Sequence, residues 1–469
     1  MRAAEIELRA PADGALLGTV PITTREQVRE QVRDAERVHR SGVWSQLPTR
    51  ERAEALLRLA DLMQRESDTL AQLDCEDGGK PITECRNNDV PSAIASIRWF
   101  AEAADKRVGQ VSSSDPAVHG FTQREPFGVV AAILPWNYPL AMAAWKVGPA
   151  LAAGNTLILK PADSTPRSTL HLAKLAREAG IPEGVLRVLP GDGATTGAAL
   201  ADDPIIGALS FTGSTATGRA ILRGAAESNF KRVSLEMGGK SPQILMDDAL
   251  EFGDALFDGM IEAAFLTSGQ NCTAGSRLLV HESICELVVE RFVARAEQLR
   301  IGHPADPLTE LGPVTNAGAT TRILAAIAAG EKAGGRVFTG GSQVDAVPGG
   351  HYLAPTVIGE LPPGAPLLRE ELFGPVVSIQ SFRTLDEAVA LANDTPYGLA
   401  ASLWTTRLDD ALRLADRVEA GLISVGEYSE GDLSVPFGGW KQSGFGGAEK
   451  SMRAFEQWTR EKTVWVRKR

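Results

Sequence analysis

The sequence contains only four cysteines in 469 residues, Cys75, Cys85, Cys272 and Cys285. Their spacing matches no metal-ligand pattern, and so few cysteines in a chain of this size argue against a disulfide framework. No run of apolar residues approaches the roughly 18 that a membrane span needs, and the segment MRAAEIELRA has no apolar signal core. We therefore expect a cytoplasmic protein without a metal site.

Basic residues are also in short supply. The chain has 48 Lys and Arg against 59 Asp and Glu, a formal net charge of −11. Nucleic acids and anionic membranes are bound by clustered positive charge, so neither is an expected partner. Solubility by itself accounts for an acidic surface. What remains is a globular chain, 43% apolar, whose length predicts two or three domains.

The first hundred residues are predicted to be mostly helical. Thr23 and Glu26 have the spacing of a capping box that opens a helix, and amphipathic stretches follow at about 50–74 and 90–107. A polar, turn-rich segment over 106–126 then interrupts the pattern. Because this segment is too polar to pack on its own domain, we expect it to form an arm.

From Gly128 onward, short apolar runs alternate with helical segments. The runs are VVAAIL, TLILK, VLRVL, ALSFTG and SLEM, and a second alternation begins at SPQILM. Helices are predicted near 282–300 and 317–334, and capping boxes at Thr384–Glu387 and Thr406–Asp409 mark two more. This alternation predicts parallel βαβ units, so we expect two α/β units.

Three polar residues have surroundings that suit acyl chemistry. Cys272, in GQNCTAGSR, lies among small residues that let backbone N–H groups approach a carbonyl, although most lone cysteines are buried hydrophobes. Glu236, in LEMGGKSP, suits a general base, or else a capping or surface group. Asn137, in PWNYP, suits an oxyanion donor, or else a turn. In isolation none of the three is decisive.

Signals for a dinucleotide cofactor are of similar strength. FTGSTATG follows an apolar run and leads into a helix, where Gly213, Gly218 and Ser214 with the helix N–H groups suit a pyrophosphate. Asp163, after the strand TLILK, suits ribose hydroxyls. GDGATTG, over 191–197, departs by one residue from the dinucleotide fingerprint, and we interpret it as a loop.

Seven motifs occur in one order across almost the whole chain: PWNYP, KPADSTP, FTGSTATG, LEMGGKSP, GQNCTAGSR, EELFGPV and PFGGWKQSG. Their order and spacing closely resemble the aldehyde dehydrogenase superfamily. The resemblance implies an α/β fold with a Rossmann-like cofactor domain, a second α/β catalytic domain and a β-arm for oligomerisation. It implies a dinucleotide-binding domain at 1–105 and 127–238, a catalytic domain at 239–442, and an oligomerisation arm and tail at 106–126 and 450–469.

The resemblance also implies roles for individual residues. Cys272 matches the nucleophile, Asn137 the oxyanion amide and Glu236 the general base, while Lys146 matches a lysine assigned to proton relay. The implied contacts of the nicotinamide cofactor are Trp136, Lys160, Asp163, Gly213, Ser214, Glu371 and Phe373. The expected reaction oxidises an aldehyde to a carboxylic acid through a Cys272 thioester that water hydrolyses. A homodimer or homotetramer is expected.

Other interpretations are weaker. CoA-acylating relatives, in which CoA takes the acyl group, characteristically lack the glutamate found at Glu236. A non-catalytic relative would have no use for Cys272, Glu236 and Asn137 together. An unrelated thiol hydrolase would need a histidine partner and would leave the cofactor motifs unexplained.

Three features depart from the family pattern. Asp163 stands where glutamate is usual. Its carboxylate would repel a 2′-phosphate, so NAD is the expected cofactor, but the shorter side chain holds the ribose less firmly and some NADP activity is expected. Gly426 stands where asparagine is usual, which removes an amide near the active site. The chain also begins later than is typical, so we expect an N-terminal strand to be missing.

Three segments resemble the γ-glutamyl-γ-aminobutyraldehyde and ω-aminoaldehyde dehydrogenases: NNDVPSAIASIRWFAEAADK, ESNFKRVSLEMGGKS and the tail EGDLSVPFGGWKQSGFGGAEKSMRAFEQWTREKTVWV. We therefore expect an aldehyde with a distal amino or amide group, and the alternative is a simple aliphatic or aromatic aldehyde. The loop GEYSEGD contains three acids, Glu427, Glu430 and Asp432. We expect one of them to hold the substrate ammonium, and the alternative is that all three face solvent. The residues expected to flank the methylene chain are Tyr138, Trp145 and Tyr428.

Overall fold

The computed structural model describes residues 4–112 and 114–468. It begins with an antiparallel hairpin of strands Glu5–Arg9 and Leu16–Pro21. The helices that follow are Arg25–Ser41, Thr49–Arg65, Ser67–Gly78, Ile82–Glu84, the π-helix Cys85–Asp89, Val90–Ala103 and the 3₁₀ turn Ala104–Lys106. The helical prediction for this region is confirmed, although the stretch predicted at 50–74 is two helices that meet at Glu66.

The first helix begins one residue later than the predicted cap. The Thr24 hydroxyl accepts from the Gln27 N–H, and the Gln27 side chain accepts from the Thr24 N–H. The capping box predicted at Thr23 and Glu26 is therefore wrong. Thr23 instead donates its hydroxyl to the carbonyl of Pro190, 2.7 Å away. This bond ties the residue before the helix cap to the segment that follows strand Leu186–Val188.

The first large sheet has six strands in the order Gly444–Phe445, Arg232–Met237, Ala208–Gly213, Val129–Ile133, Thr156–Lys160, Leu186–Val188. All neighbours are parallel except the first pair. The central strand Val129–Ile133 is apolar throughout because both of its faces are covered: Val130 and Ala132 enter one core, while Val129 and Ala131 enter the other. The covering helices include Pro139–Ala152, Arg167–Glu178, Ala198–Asp202 and Thr215–Glu227.

The glycine-rich segment GDGATTG is not the loop that the sequence predicted. Residues Gly193–Gly197 form a π-helical turn that continues into helix Ala198–Asp202. Asp192 begins this helix, since its carboxylate accepts from the Thr195 N–H. Gly193 and Gly197 therefore belong to the start of a helix, at the carboxyl edge of the first sheet.

The second large sheet has seven strands in the order Arg336–Thr339, Thr356–Gly359, Val376–Phe382, Arg277–His281, Pro242–Leu245, Ala400–Trp404, Leu422–Val425. All neighbours are parallel except the first pair. Its principal helices are Asp254–Phe265, Glu282–Glu297, Ala317–Lys332, Pro366–Arg369, Leu385–Asn393 and Leu408–Ala415. The predicted class, two α/β units, is confirmed. Across the described residues, no helix combines the length and apolarity needed to cross a membrane.

The two caps predicted in this second unit differ in outcome. Thr384 begins helix Leu385–Asn393 and accepts from the Glu387 N–H, as predicted, but the Glu387 carboxylate reaches back to the Arg383 N–H. The cap predicted at Thr406 is wrong. No side chain in the described part of the chain caps helix Leu408–Ala415, because the Thr406 hydroxyl is bonded to Asp248.

The polar segment over 106–126 does form an arm. Its strands Val111–Ser112 and Val118–Pro126 pair with each other, and Val118–Pro126 pairs along its full length with the C-terminal strand Thr459–Arg467. The tail thus adds to the arm of its own chain. Trp465, on this tail, is 58% exposed.

Candidate active site

One cavity of about 900 Å³ lies at the carboxyl edge of the first sheet. Doubly wound sheets place ligands at this edge, because the ends of their parallel strands meet there. Residues of the second unit close the cavity from the other side, among them Cys272, Glu371 and Tyr428. Most of the site residues predicted from the sequence line this cavity, and the exceptions are Lys146, Gly218, Glu427 and Asp432.

Cys272 lies just beyond the 3₁₀ turn Leu266–Gly269, and its side chain reaches the cavity. The chain packs so closely here that a Cβ on Gly239 would lie 2.3 Å from the Cys272 carbonyl oxygen, so Gly239 must be glycine. Burial raises the pKa of the Cys272 thiol well above its usual range, and the Glu430 carboxylate adds to the shift. Both effects favour the thiol over the thiolate.

Asn137 lies just before helix Pro139–Ala152 and is 5% exposed. Its Nδ2 donates to the Gln270 carbonyl oxygen at 2.9 Å, which fixes the amide beside the loop that carries Cys272. An amide nitrogen carries two hydrogens. The second hydrogen is available to a ligand oxygen in the cavity.

Glu236, in strand Arg232–Met237, is buried and lines the same cavity. Burial raises the pKa of its carboxyl well above the usual range, the Glu449 carboxylate raises it further, and Lys146 opposes the shift. Its Oε2 has no hydrogen-bond partner within the described residues. A carboxylate in this setting has a high affinity for a proton and an oxygen ready to accept one.

Lys146 forms an ion pair with Glu449, and the Ser210 hydroxyl donates to the same Glu449 oxygen at 3.4 Å. Lys146 lies behind the cavity wall, whereas Glu449 is part of that wall. Sequence reasoning missed Glu449, because GGAEKS has no recognisable pattern and 303 residues separate it from Lys146. Lys146 and Glu449 thus form a buried ion pair whose charges act on the pKa of Glu236.

The turn after strand Ala208–Gly213 lies at one end of the cavity. Gly213 has a φ of 158°, and Ser214 caps helix Thr215–Glu227 by accepting from the Thr217 N–H. At the end of strand Thr156–Lys160, two strands away in the sheet, Asp163 is exposed, whereas Lys160 is buried and donates its Nζ to the Pro161 carbonyl at 2.9 Å. These groups surround an open end of the cavity with helix N–H groups, a carboxylate and an ammonium.

Glu371 and two aromatic rings line the adjoining part of the cavity. Glu371 Oε1 accepts from the Gly239 N–H at 2.9 Å, and a Cβ on Gly238 would lie 2.1 Å from its other oxygen. Burial raises the pKa of Glu371 to about 7. Trp136 and Phe373 meet edge to face with their centroids 5.3 Å apart.

The opposite end of the cavity is lined by aromatic and acidic side chains. Tyr138, Trp145 and Tyr428 are among them, as predicted. Glu430 also lines this end, and its carboxylate accepts from the Thr273 hydroxyl at 2.6 Å. Sequence reasoning missed the acids Glu84, Asp89 and Glu262 in the same wall, which lie on elements far from the loop GEYSEGD.

Asp432 and Glu427 are exposed and lie outside the lining of this cavity, so their role in holding the substrate stays a prediction. Asp432 lines a smaller pocket of about 380 Å³ that shares Ser92 and Gly431 with the cavity. The Asp432 carboxylate accepts from the N–H and the hydroxyl of Ser434, which folds it back onto its own turn. Glu430 is thus the acid of this loop that faces the cavity.

Comparison with known proteins gives consistent matches over the whole chain. The profile of the Aldehyde dehydrogenase family matches residues 1–464. An aminoacetaldehyde dehydrogenase of Pseudomonas aeruginosa is 44% identical over 456 residues, 97% of this chain and 91% of that protein. The solved structure of a γ-glutamyl-γ-aminobutyraldehyde dehydrogenase from Burkholderia cenocepacia superposes with a TM-score of 0.96 at 44% identity, covering 100% of this chain and 95% of that one. An indole-3-acetaldehyde dehydrogenase in complex with NAD+ superposes with a TM-score of 0.97 at 41% identity, covering 100% and 94%.

Proposed function

The chain belongs to the aldehyde dehydrogenase family, and we propose that it oxidises amino-aldehydes to carboxylic acids with NAD, through a thioester on Cys272. One observation carries the proposal: a thiol, an amide donor and a buried carboxylate line a single cavity whose far end is a strand-to-helix turn.

Bond formation to the substrate involves Cys272 and Asn137. The Cys272 thiol gives up its proton to solvent, its sulfur adds to the aldehyde carbon, and negative charge develops on the aldehyde oxygen. The second Nδ2 hydrogen of Asn137 and the backbone N–H of Cys272 donate to that oxygen. Removing one such donor typically lowers the rate about 10²–10³-fold.

The strand-to-helix turn fits a nicotinamide dinucleotide. The first N–H groups of helix Thr215–Glu227 lack partners in the helix, and next to them the buried hydroxyls of Thr212 and Thr215 are without partners among the described residues. Ser214 would hold the pyrophosphate and Glu371, held by the Gly239 N–H, a ribose. When bound, the cofactor accepts the hydride that the substrate carbon loses.

Lys160 and Asp163 would hold the adenosine ribose. Asp163 is exposed at the open end of the cavity, and the buried Lys160 ammonium lies beside the same strand end. A carboxylate there accepts from ribose hydroxyls and repels a 2′-phosphate, which favours NAD over NADP. One relative's crystal structure contains NAD+, which supports the same choice.

Release of the acid involves Glu236. Its raised pKa makes this carboxylate a stronger base than a solvated one, so it takes a proton from the water that attacks the thioester. The carbon–sulfur bond then breaks, which releases the carboxylic acid and the Cys272 thiolate. The Lys146–Glu449 pair next to it would pass the proton on and return Glu236 to the carboxylate form. A CoA-acylating activity has no need of such a base, so hydrolysis is the favoured outcome.

The acidic end of the cavity supports an amino-aldehyde. Asp89 is paired with Lys80, whereas the Glu430 carboxylate accepts from the Thr273 hydroxyl. The nearby Lys450 ammonium donates to the Glu430 backbone carbonyl at 3.0 Å and leaves the carboxylate without a direct ion pair among the described residues. Glu430 would hold the substrate ammonium, with Trp145 and Tyr428 along the methylene chain. Two of the relatives named above are amino- or acylamino-aldehyde dehydrogenases by name, which supports the proposal.

The test is a panel of aldehydes assayed with NAD and with NADP by absorbance of the reduced cofactor. The panel contains 4-aminobutyraldehyde, its γ-glutamyl derivative, hexanal and benzaldehyde. The proposal expects the highest kcat/KM for an amine- or amide-bearing aldehyde with NAD. A higher kcat/KM for hexanal or benzaldehyde would contradict the substrate class and leave the dehydrogenase activity standing.

We propose that the arm and tail assemble a homodimer or homotetramer. The outer edge of strand Thr459–Arg467 has no partner strand in the described part of the chain, and the arm exposes 68% of Val111 and 58% of Trp465. Edges and apolar groups of this kind are typical of subunit contacts. Sedimentation of the wild type and of Trp465→Lys tests this, and a dilute, active wild-type monomer would contradict it.

The domain division proposed from the sequence stands as a proposal too. It assigns 1–105 and 127–238 to dinucleotide binding, 239–442 to catalysis, and 106–126 with 450–469 to oligomerisation. Strand Gly444–Phe445 supports a connection between the dinucleotide-binding and catalytic domains. The chain leaves the second unit there and pairs with the edge strand of the first sheet, Arg232–Met237.

A further inference from the structure

The turn that precedes Cys272 has an unusual backbone. Thr267, Ser268 and Gly269 have consecutive positive φ angles of 53°, 57° and 68°. The Gln270 N–H closes the turn by donating to the Thr267 carbonyl at 3.0 Å. Glycine adopts this conformation readily, but a β-branched residue such as Thr267 does so only when its surroundings enforce it.

The Glu84 carboxylate supplies that enforcement. Glu84 Oε2 accepts from the Thr267 N–H at 3.0 Å and from the Thr267 hydroxyl at 2.9 Å, and Oε1 lies 3.2 Å from the same N–H. The Tyr138 hydroxyl lies 3.2 Å from the Thr267 hydroxyl, so it can donate there while Thr267 donates to Glu84. The Thr267 N–H and the Thr267 hydroxyl are thus both held by the Glu84 carboxylate.

The turn is connected directly to the groups that contact the substrate. The Gln270 side chain donates to the Thr267 carbonyl at 3.2 Å, and the Gln270 carbonyl accepts from Asn137 Nδ2 at 2.9 Å. Cys272 follows Gln270 by two residues. A shift of Thr267 would therefore move both the thiol and the amide donor.

We propose that Glu84 is a positioning residue that holds Thr267 in its left-handed conformation and thereby places Cys272 and Asn137 for reaction. The proposal rests on the function proposed above, in which Cys272 is the nucleophile. Glu84 comes from the short helix Ile82–Glu84 of the N-terminal region, so the turn is fixed from outside the unit that carries it.

A contact between Glu84 and the substrate ammonium is the competing interpretation, since Glu84 also lines the cavity. Two observations favour positioning. The carboxylate is already bonded to Thr267 by the contacts above. Burial raises the pKa of Glu84 to about 7, while Lys80 and the hydrogen bonds from Thr267 oppose that shift, so Thr267 specifically stabilises the charged form.

The test compares Glu84→Gln in two backgrounds, the wild type and Thr267→Asn. Glutamine keeps the shape of the side chain but removes its charge and replaces one of the two oxygens that lie near the Thr267 N–H with an NH₂ donor. Asparagine tolerates positive φ far better than threonine, so the turn in the Thr267→Asn background needs less enforcement. The readouts are kcat and KM for 4-aminobutyraldehyde and hexanal, the rate of Cys272 alkylation by iodoacetamide, Kd for NAD, and Tm.

We expect Glu84→Gln in the wild-type background to slow Cys272 alkylation and kcat for both aldehydes about tenfold or more, with Kd for NAD within about twofold. In the Thr267→Asn background the same substitution should have a several-fold smaller effect. Equal effects in both backgrounds, or no effect on alkylation, would overturn the proposal. A rise in KM confined to the amino-aldehyde would assign Glu84 to the substrate instead.

The alkylation readout separates this proposal from the proposed function, because it needs no dehydrogenase activity. If Glu84→Gln does not fold, Glu84→Asp takes its place in both backgrounds, since it keeps the charge and shortens the reach. A loss with Glu84→Asp that Thr267→Asn reduces supports positioning. A loss that Thr267→Asn leaves unchanged overturns it.

Discussion

Lys146 and Glu449 form an ion pair that solvent does not reach, with side-chain exposures of 0% and 1%. The pair lies next to Glu236, whose pKa the Glu449 carboxylate raises and Lys146 lowers. Both Glu236 and Glu449 have an Oε2 without a partner among the described residues. The proton affinity of the proposed general base is thus set by its burial and by two charged residues distant from it in sequence.

Glu449→Gln should move the pH dependence of thioester hydrolysis toward lower pH. Hydrolysis needs the Glu236 carboxylate, so its rate rises as pH rises through the Glu236 pKa. Removing the Glu449 charge removes a contribution that raises this pKa, and Lys146, left unpaired, lowers it further. The measurement is acyl-enzyme hydrolysis after acylation by 4-nitrophenyl acetate, from pH 5 to pH 10.

Lys146→Met is the matched control for that shift. Lys146 lowers the pKa of Glu236, so its removal should move the same pH profile in the opposite direction. Shifts of both variants in one direction would show that the pair acts on something other than the charge of Glu236.

Cys272→Ala should abolish formation of reduced cofactor and leave the Kd for NAD within about twofold of the wild type. The thiol forms the bond to the substrate, but it contributes nothing to the strand-to-helix turn at Ser214. Stopped-flow absorbance and a fluorescence titration measure the two quantities. Turnover of the purified variant above background would remove the mechanism.

Glu236→Gln should form the thioester and then hydrolyse it slowly. The expected record is a burst of about one reduced cofactor per active site, followed by a slow steady state. The neutral amide cannot take a proton from water, but acylation of Cys272 does not require it. Loss of the burst itself would give Glu236 a role before hydride transfer.

NAD should be preferred over NADP, and Asp163 should be the cause. Replacing Asp163 by Ser removes the charge that repels a 2′-phosphate and should lower the ratio of kcat/KM for NAD to that for NADP about tenfold, equivalent to roughly 1.4 kcal/mol. Asp163→Glu, which keeps the charge, is the control and should retain the preference. An unchanged ratio in Asp163→Ser would place the discrimination elsewhere.

Glu430→Gln should narrow the preference for 4-aminobutyraldehyde over hexanal by about tenfold or more, the range for losing a charge-assisted hydrogen bond of roughly 1.5–3 kcal/mol. Asp432→Asn is the matched control, because Asp432 is exposed and folded onto Ser434. Its preference should match the wild type. An equal effect of the two substitutions would point to the charge of the whole loop.

Much of the fold and of the chemistry was predictable because the signals are local. Strand–helix alternation gives the two parallel sheets, since strands covered on both faces are apolar throughout, as at Val129–Ile133. Cys272 and Glu236 lie in motifs whose small neighbours reflect close backbone approach. Gly239 is an example, since a side chain there would collide with the Cys272 carbonyl.

The tertiary structure alone decided which polar groups meet. Nothing near Glu449 in the chain indicates its pairing with Lys146, and nothing near Glu84 indicates that it holds Thr267. Within GEYSEGD, the backbone turns Glu430 into the cavity and folds Asp432 onto Ser434, a distinction that composition cannot contain. Local sequence determines secondary structure and backbone clearance, whereas the charge environment of a buried group depends on side chains that only folding brings within a few ångströms.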